Sequence, residues 1–112
     1  MAWLVRDGEV LASLEVADSF QGRLRGLLGR DGIEGALLLR PAKSVHTFGM
    51  RFTIDVAFCD ATGNDLVVVE AFTLGRNRMT LPRLKPNAVV EAEAGAFERW
   101  RLRPGDRLEI KG

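Results

Sequence analysis

The residues of this chain with the widest chemical range are its only histidine, His46, and its only cysteine, Cys59. They bracket a run in which large apolar residues alternate with small or polar ones, Phe52, Ile54, Val56 and Phe58 against Thr53, Asp55, Ala57 and Cys59. A histidine can move a proton near neutral pH or hold a polar ligand. In an extended segment His46 would share a face with Phe48 and Met50, the pattern of a hydrogen-bonded structural residue as much as of a pocket histidine. Cys59 stands thirteen positions from His46 and has no CxxC or HxxxH partner. That spacing gives no zinc site, so no metal and no cofactor are expected. A lone cysteine in a strand reads as a small buried hydrophobe rather than a nucleophile.

Two carboxylates raise a different question. Asp55 faces away from its apolar neighbours, and Glu91 lies within Ala88-Val89-Val90-Glu91, another strand-like run. If both sheet faces are covered, each carboxylate needs a partner. Arginines of the preceding helical segment, Arg23, Arg25 and Arg30, are the natural candidates. One reading is a structural network of ion pairs joining helix to sheet. The other is a pocket in which Arg23, Arg25, Arg30, His46, Met50, Asp55 and Glu91 contact a small polar ligand. In an enzyme, His46 with Asp55 or Glu91 could do acid–base work, hydrolysis included.

The elements that must position these residues follow from periodicity and turn chemistry. Trp3 to Arg6 and Glu9 to Val16 flank Asp7-Gly8, a type I′ hairpin signal. Asp18-Ser19 opens a helix over residues 19–29, with Phe20, Leu24, Leu27 and Leu28 as its apolar stripe and Gly29 as its stop. Gly22, Gly26 and Gly29 fall on the opposite face. Two interior glycines cost about 2 kcal/mol relative to alanine. Either the helix is short, or that face is packed closely, with the loop near Gly49 as the proposed neighbour. Gly35 to Leu39 is a short apolar strand, and residues 52–58 form a half-buried one. After a turn over residues 60–65, Leu66 to Phe72 returns as a partner strand. Leu74 to Pro86 is irregular, Ala88 to Ala94 alternates, and Gly95 to Leu102 holds a helical turn. Arg103-Pro104-Gly105-Asp106 turns into a last strand, Arg107 to Ile110. The expected fold is mainly β: a compact, mostly antiparallel barrel or sandwich of about seven short strands with one helix packed on it. Strands that succeed one another without regular helices argue against parallel βαβ units.

The order of motifs resembles a known family. Arg23-x-Arg25-Gly26-Leu27-Leu28-x-Arg30 is followed by Ala36-Leu37-Leu38-Leu39. Then come His46-Thr47-Phe48-Gly49-Met50-x-Phe52-x-Ile54-Asp55-Val56-x-Phe58, Ala88-Val89-Val90-Glu91-x-x-Ala94-Gly95 and Pro104-Gly105-Asp106. Over roughly residues 10–110 this is similar to the small bacterial and archaeal proteins called domain of unknown function 192. The resemblance implies a compact, barrel-like β fold and no established activity. Many such relatives carry an amino-terminal signal or anchor. In them an aromatic often precedes the methionine, where this chain has Gly49; if that aromatic lines a pocket, the pocket here is more open.

Composition narrows the classes. The 112 residues suit one domain, residues 1–112. A net charge of +1, from 16 basic and 15 acidic residues, gives no strong nucleic-acid signal. Arg99, Arg101, Arg103 and Arg107 with Trp100 are interspersed with Glu98, Asp106 and Glu109, the pattern of a solvated surface. No apolar run is long enough for a membrane helix. Met1 to Asp7 has no charged-then-apolar leader, and one cysteine forms no internal disulfide, so a cytoplasmic location is expected. The partners that fit are a small polar ligand or a protein docked on the loop over residues 74–86. Oligomeric state is open.

Overall fold

The computed structural model describes residues 1–112, apart from the side chains of Phe20 and Leu24, so the expected apolar stripe of the helix lies partly outside the described residues. Seven strands form a closed barrel: β1 (Ala2–Arg6), β2 (Glu9–Ala17), β3 (Ala36–Leu39), β4 (Ile54–Thr62), β5 (Asp65–Leu74), β6 (Ala88–Glu93) and β7 (Arg107–Lys111). Around the barrel they run β1-β2-β3-β6-β4-β5-β7. Two short helices accompany them, α1 (Phe20–Arg25) and α2 (Ala96–Trp100). The Asp7-Gly8 turn has positive φ at both residues, 51° and 80°, as a type I′ turn requires.

The expectation of no parallel unit is corrected at one place. β2 pairs with β3 in parallel, Leu14 opposite Ala36 and Ala17 opposite Leu39. Parallel neighbours need a crossover of a dozen or more residues, and residues 18–35 supply it. That crossover contains α1, which is thereby laid on the outside of the sheet.

Alternation along the strands then sorts side chains into two cores. Ala36 and Leu38 of β3, Ala57 and Cys59 of β4, and Val90 and Ala92 of β6 fill the barrel interior with Leu4, Leu14, Leu66 and Leu108. Leu37 and Leu39, Ile54, Val56 and Phe58, and Val89 point outward. This outer layer is covered by Leu27, Ile33, Val45 and Met50 from the chain after β2 and after β3. The 52–58 segment is therefore not a half-buried strand: it begins at Ile54, and residues 54–59 are buried on both faces. Strand pairing also runs on to Thr62 and Asp65, which leaves Gly63-Asn64 as the turn rather than residues 60–65.

Helix α1 is shorter than the expected 19–29. Ser19 caps it, its Oγ accepting from Gly22 N at 3.0 Å. It stops at Gly26, where φ is 47° and ψ −125°. A Cβ at Gly26 would meet nothing nearer than 3.9 Å, and one at Gly29 nothing within 4 Å. Gly26 and Gly29 answer to backbone conformation, not close packing, whereas a Cβ at Gly22 would lie 2.8 Å from the capping Ser19 Oγ. The loop glycine, Gly49, instead lies against Leu28 Cδ1, 3.1 Å from where its Cβ would be.

Asp55 is buried on the inner side of β4, and no arginine reaches it among the described residues. Its Oδ1 accepts from Thr73 Oγ1 at 2.7 Å, and Oδ2 from Gly95 N at 3.0 Å and Phe97 N at 3.1 Å. It thus ties the start of α2 to the barrel, with Ala96 and Phe97 entering the interior cluster.

Two substitutions test these assignments. Gly26→Ala is expected to lower stability in urea unfolding by about 1–2 kcal/mol, because the backbone there is strained for an L-residue; unchanged or raised stability contradicts the assignment. Asp55→Ala leaves one buried amide, one part-buried amide and a hydroxyl without their acceptor and is expected to cost about 3 kcal/mol. A loss below about 1 kcal/mol would remove Asp55 from its tethering role.

Candidate functional site

The outer layer does not seal completely. Between α1, the end of β3, the chain over residues 44–50 and β6 lies a cleft of about 70 Å³. Arg23, Arg25, Gly26, Leu27 and Leu28 line it from the helix side, and Leu39 and Glu91 from the sheet. Ser44, Val45, His46, Phe48 and Met50 complete it. A single water needs roughly 10–15 Å³, so the cleft suits a handful of waters or one small polar molecule.

The segment carrying His46 is not a free strand. His46 forms an isolated antiparallel bridge with Met79. Thr47 N donates to Arg78 O, Thr80 N to Val45 O and Arg83 N to Lys43 O, each at 2.8 Å. Thr47, fully buried, donates from Oγ1 to Gly75 O at 2.6 Å and accepts from Arg78 N at 2.9 Å. The irregular 75–86 stretch thus straps residues 43–47 in place. Val45 and Thr47 point inward, His46 and Phe48 outward, and the two outward rings stack with centroids 5.9 Å apart. A turn closed by Met50 N donating to Thr47 O then buries Met50. The expectation that His46, Phe48 and Met50 share one extended face is corrected by this turn.

Glu91 is the unusual member. Its neighbours on β6 face the interior, so Glu91 faces the outer layer, opposite Val56 on β4 and Leu37 on β3. It is 5% exposed and makes no hydrogen bond or ion pair among the described residues. Among the described residues no side-chain oxygen is both fully occluded and unpartnered, so its carboxylate reaches the free space of the cleft. Desolvation pushes its pKa up to about 7. Arg23 donates from one guanidinium nitrogen to Asp18 O at 2.7 Å, and neither Arg23 nor Arg25 makes an ion pair among the described residues. Arginines 6, 30, 51, 83 and 99 all do.

Of the seven residues singled out by sequence, the structure brings together Arg23, Arg25, His46, Met50 and Glu91. It separates the other two. Arg30 lies beyond the end of α1 and makes a bidentate pair with Glu15 at 3.0 and 2.9 Å. This pair holds the Glu15 carboxyl below its usual range. Asp55 is on the opposite face of β4 from the outer layer, so it meets neither His46 nor Glu91. Cys59 is buried in the barrel interior, where desolvation raises its thiol to about 12, far from a reactive thiolate. Sequence reasoning set Phe48 beside His46 but left both Phe48 and Thr47 out of the candidate site. The inward–outward alternation Val45/Thr47 against His46/Phe48 was the available signal.

Fold and site together define a class: a small seven-stranded closed β-barrel with a cleft on its outer face under a crossover helix. Within that class the chain belongs to the family DUF192, described as "Uncharacterized ACR", whose model matches residues 2–110. It is similar to a UPF0127 protein of Pyrococcus abyssi, 28% identical over 101 residues, 86% of this chain and 84% of the other. Two solved structures share the fold. A protein of unknown function from Novosphingobium aromaticivorans has a TM-score of 0.72 at 17% identity, with 99% of this chain and 83% of that one covered. A candidate transcription regulator from Sinorhizobium meliloti has a TM-score of 0.73 at 20% identity, with 97% and 91% covered. At these identities the likeness concerns the fold alone. No helix among the described residues is long and apolar enough to cross a membrane.

Glu91 carries a pH dependence of known sign. Its carboxyl binds a proton more tightly in the folded chain, at about 7, than at the ordinary 4.5. The stabilisation is therefore complete below about 4.5 and is lost as pH rises through about 7. Glu91→Gln removes this term. Between pH 5 and pH 8 the native protein is expected to lose about 2–3 kcal/mol relative to Glu91→Gln in urea unfolding. A constant difference across that range contradicts a desolvated carboxyl.

Proposed function

We propose that this chain is a binding module for a small polar ligand, seated in the cleft beneath α1 with Glu91 as its deepest anchor. The observation that carries the reading is the Glu91 carboxylate: buried, unpartnered among the described residues, and facing free space. A desolvated charge without a partner is costly, and a protein that keeps one in a cleft has a place for an incoming donor. The small volume argues against a drug-sized molecule, whose pockets run to roughly 300–1,000 Å³. The strap from residues 75–86 supports the reading by holding His46 and Phe48 at the rim independently of any ligand.

A second reading rests on His46 and Glu91 lining one cleft, since an imidazole and a carboxyl pushed up to about 7 by burial could exchange protons with a bound substrate. Turnover of a bound compound, lost in both His46→Gln and Glu91→Gln, would move the assignment from binding to catalysis.

Amide chemical shifts of ¹⁵N-labelled protein, titrated with n-propylamine, propionate and inorganic phosphate, test the binding reading. Saturable changes at Gly26, Val45, His46, Met50 and Glu91 are expected from at least one probe, with affinity weakened about tenfold or more in Glu91→Gln, the loss of one charge-assisted hydrogen bond. Probes that leave these amides unmoved contradict the reading.

A further inference from the structure

The distribution of charge in the cleft is asymmetric, and the asymmetry describes a ligand. At the sheet floor sits one carboxylate, Glu91. On the helix side sit two guanidinium groups, Arg23 and Arg25, without carboxylate partners among the described residues. The arginines do not neutralise Glu91: none pairs with it, and burial is the only cause of its raised pKa. Negative floor and positive wall are thus held apart, with Leu27, Leu39, Val45 and Met50 lining the space around them. A chain intent on a structural ion pair would have joined these groups, as it joined Arg30 to Glu15 and Arg83 to Glu70.

We propose that the ligand is a small zwitterion, its ammonium group on Glu91 and its anionic group, carboxylate or phosphate, on Arg23 and Arg25. This rests on the binding reading above and names its substrate class. An ammonium is the partner that restores charge to a desolvated carboxylate. Guanidinium forks suit a carboxylate or phosphate in bidentate geometry. The apolar lining accommodates a short methylene spacer between the two ends.

The proposal carries a pH signature. Arg23 and Arg25 from α1 and Ser44 and His46 from the segment before β4 line the cleft with Glu91, and beside it on the neighbouring strands lie Leu37 and Val56, which do not titrate. An ammonium on Glu91 requires the ionised carboxylate, so affinity rises with pH through the region where Glu91 loses its proton. An anion on Glu91 requires the protonated form and gives the opposite slope. His46→Gln takes the cleft's imidazole out of the comparison.

The test is a calorimetric or NMR titration of the intact chain with glycine, β-alanine, 4-aminobutyrate and O-phosphoethanolamine, against n-propylamine and propionate as single-ended controls. One zwitterion is expected to bind at least tenfold more tightly than either control and about tenfold more tightly at pH 8 than at pH 6, and the rise of affinity with pH is expected to persist in His46→Gln whatever that variant does to absolute affinity. The preference among carboxylate and phosphate forms assigns the anionic group. Arg23→Gln/Arg25→Gln is expected to reduce the best zwitterion to the level of n-propylamine while leaving n-propylamine unchanged. Amide spectra of each variant establish that the fold is kept. Propionate binding in the cleft as tightly as any zwitterion, or affinity falling with pH in His46→Gln, overturns the zwitterion while leaving the binding reading in place. Absence of cleft binding by every probe overturns both.

Discussion

The structure depends on strand β6 being buried on both faces from Ala88 to Ala92. Its even-numbered residues, Ala88, Val90 and Ala92, fill the barrel, and its odd-numbered Val89 and Glu91 enter the outer layer. A central strand buried on both sides must be apolar throughout or must give each polar group a partner. Glu91 breaks that rule. Everything that covers the outer face of β3, β6 and β4 determines the environment of this one carboxylate.

Three parts of the chain provide the cover, each for a separate physical reason. The parallel pairing of β2 with β3 forces a crossover, and the crossover places α1 and Leu27 outside the sheet. The strap of hydrogen bonds from residues 75–83 to residues 43–47 holds Val45 and Thr47 inward. The turn at Thr47–Met50 buries Met50 beside them. The gap left between these pieces is the cleft, and Glu91 is its floor. Asp55 shows the contrasting solution one strand away: a buried carboxylate saturated by Thr73 and the first amides of α2, tying the fold together without facing a cleft.

Much of this was legible in sequence and some was not, for identifiable reasons. Turn chemistry at Asp7-Gly8 and alternation in β4 and β6 are local signals, so strands and barrel-like character could be read directly. Ser19 marked the helix start, but Gly26 and Gly29 both qualified as its stop, and only backbone dihedrals chose Gly26. The parallel β2–β3 pair was invisible because a six-residue helix in an 18-residue connection does not look like a βαβ unit. Grouping Arg23, Arg25, His46, Met50 and Glu91 required only that helix and sheet face one another. Excluding Asp55 required knowing which face of β4 is inside, and alternation cannot say that when both faces are buried. Arg30 was misplaced because its partner, Glu15, lies on a strand whose register was ambiguous.

The central claim is that Glu91 is a desolvated, unpartnered carboxyl open to a cleft. The most direct measurement is a ¹³C-detected pH titration of the Glu91 side-chain carboxyl in the ligand-free protein. The account predicts a midpoint at about 7. A midpoint near 4.5, the ordinary value, would show a solvated or paired carboxylate and contradict it.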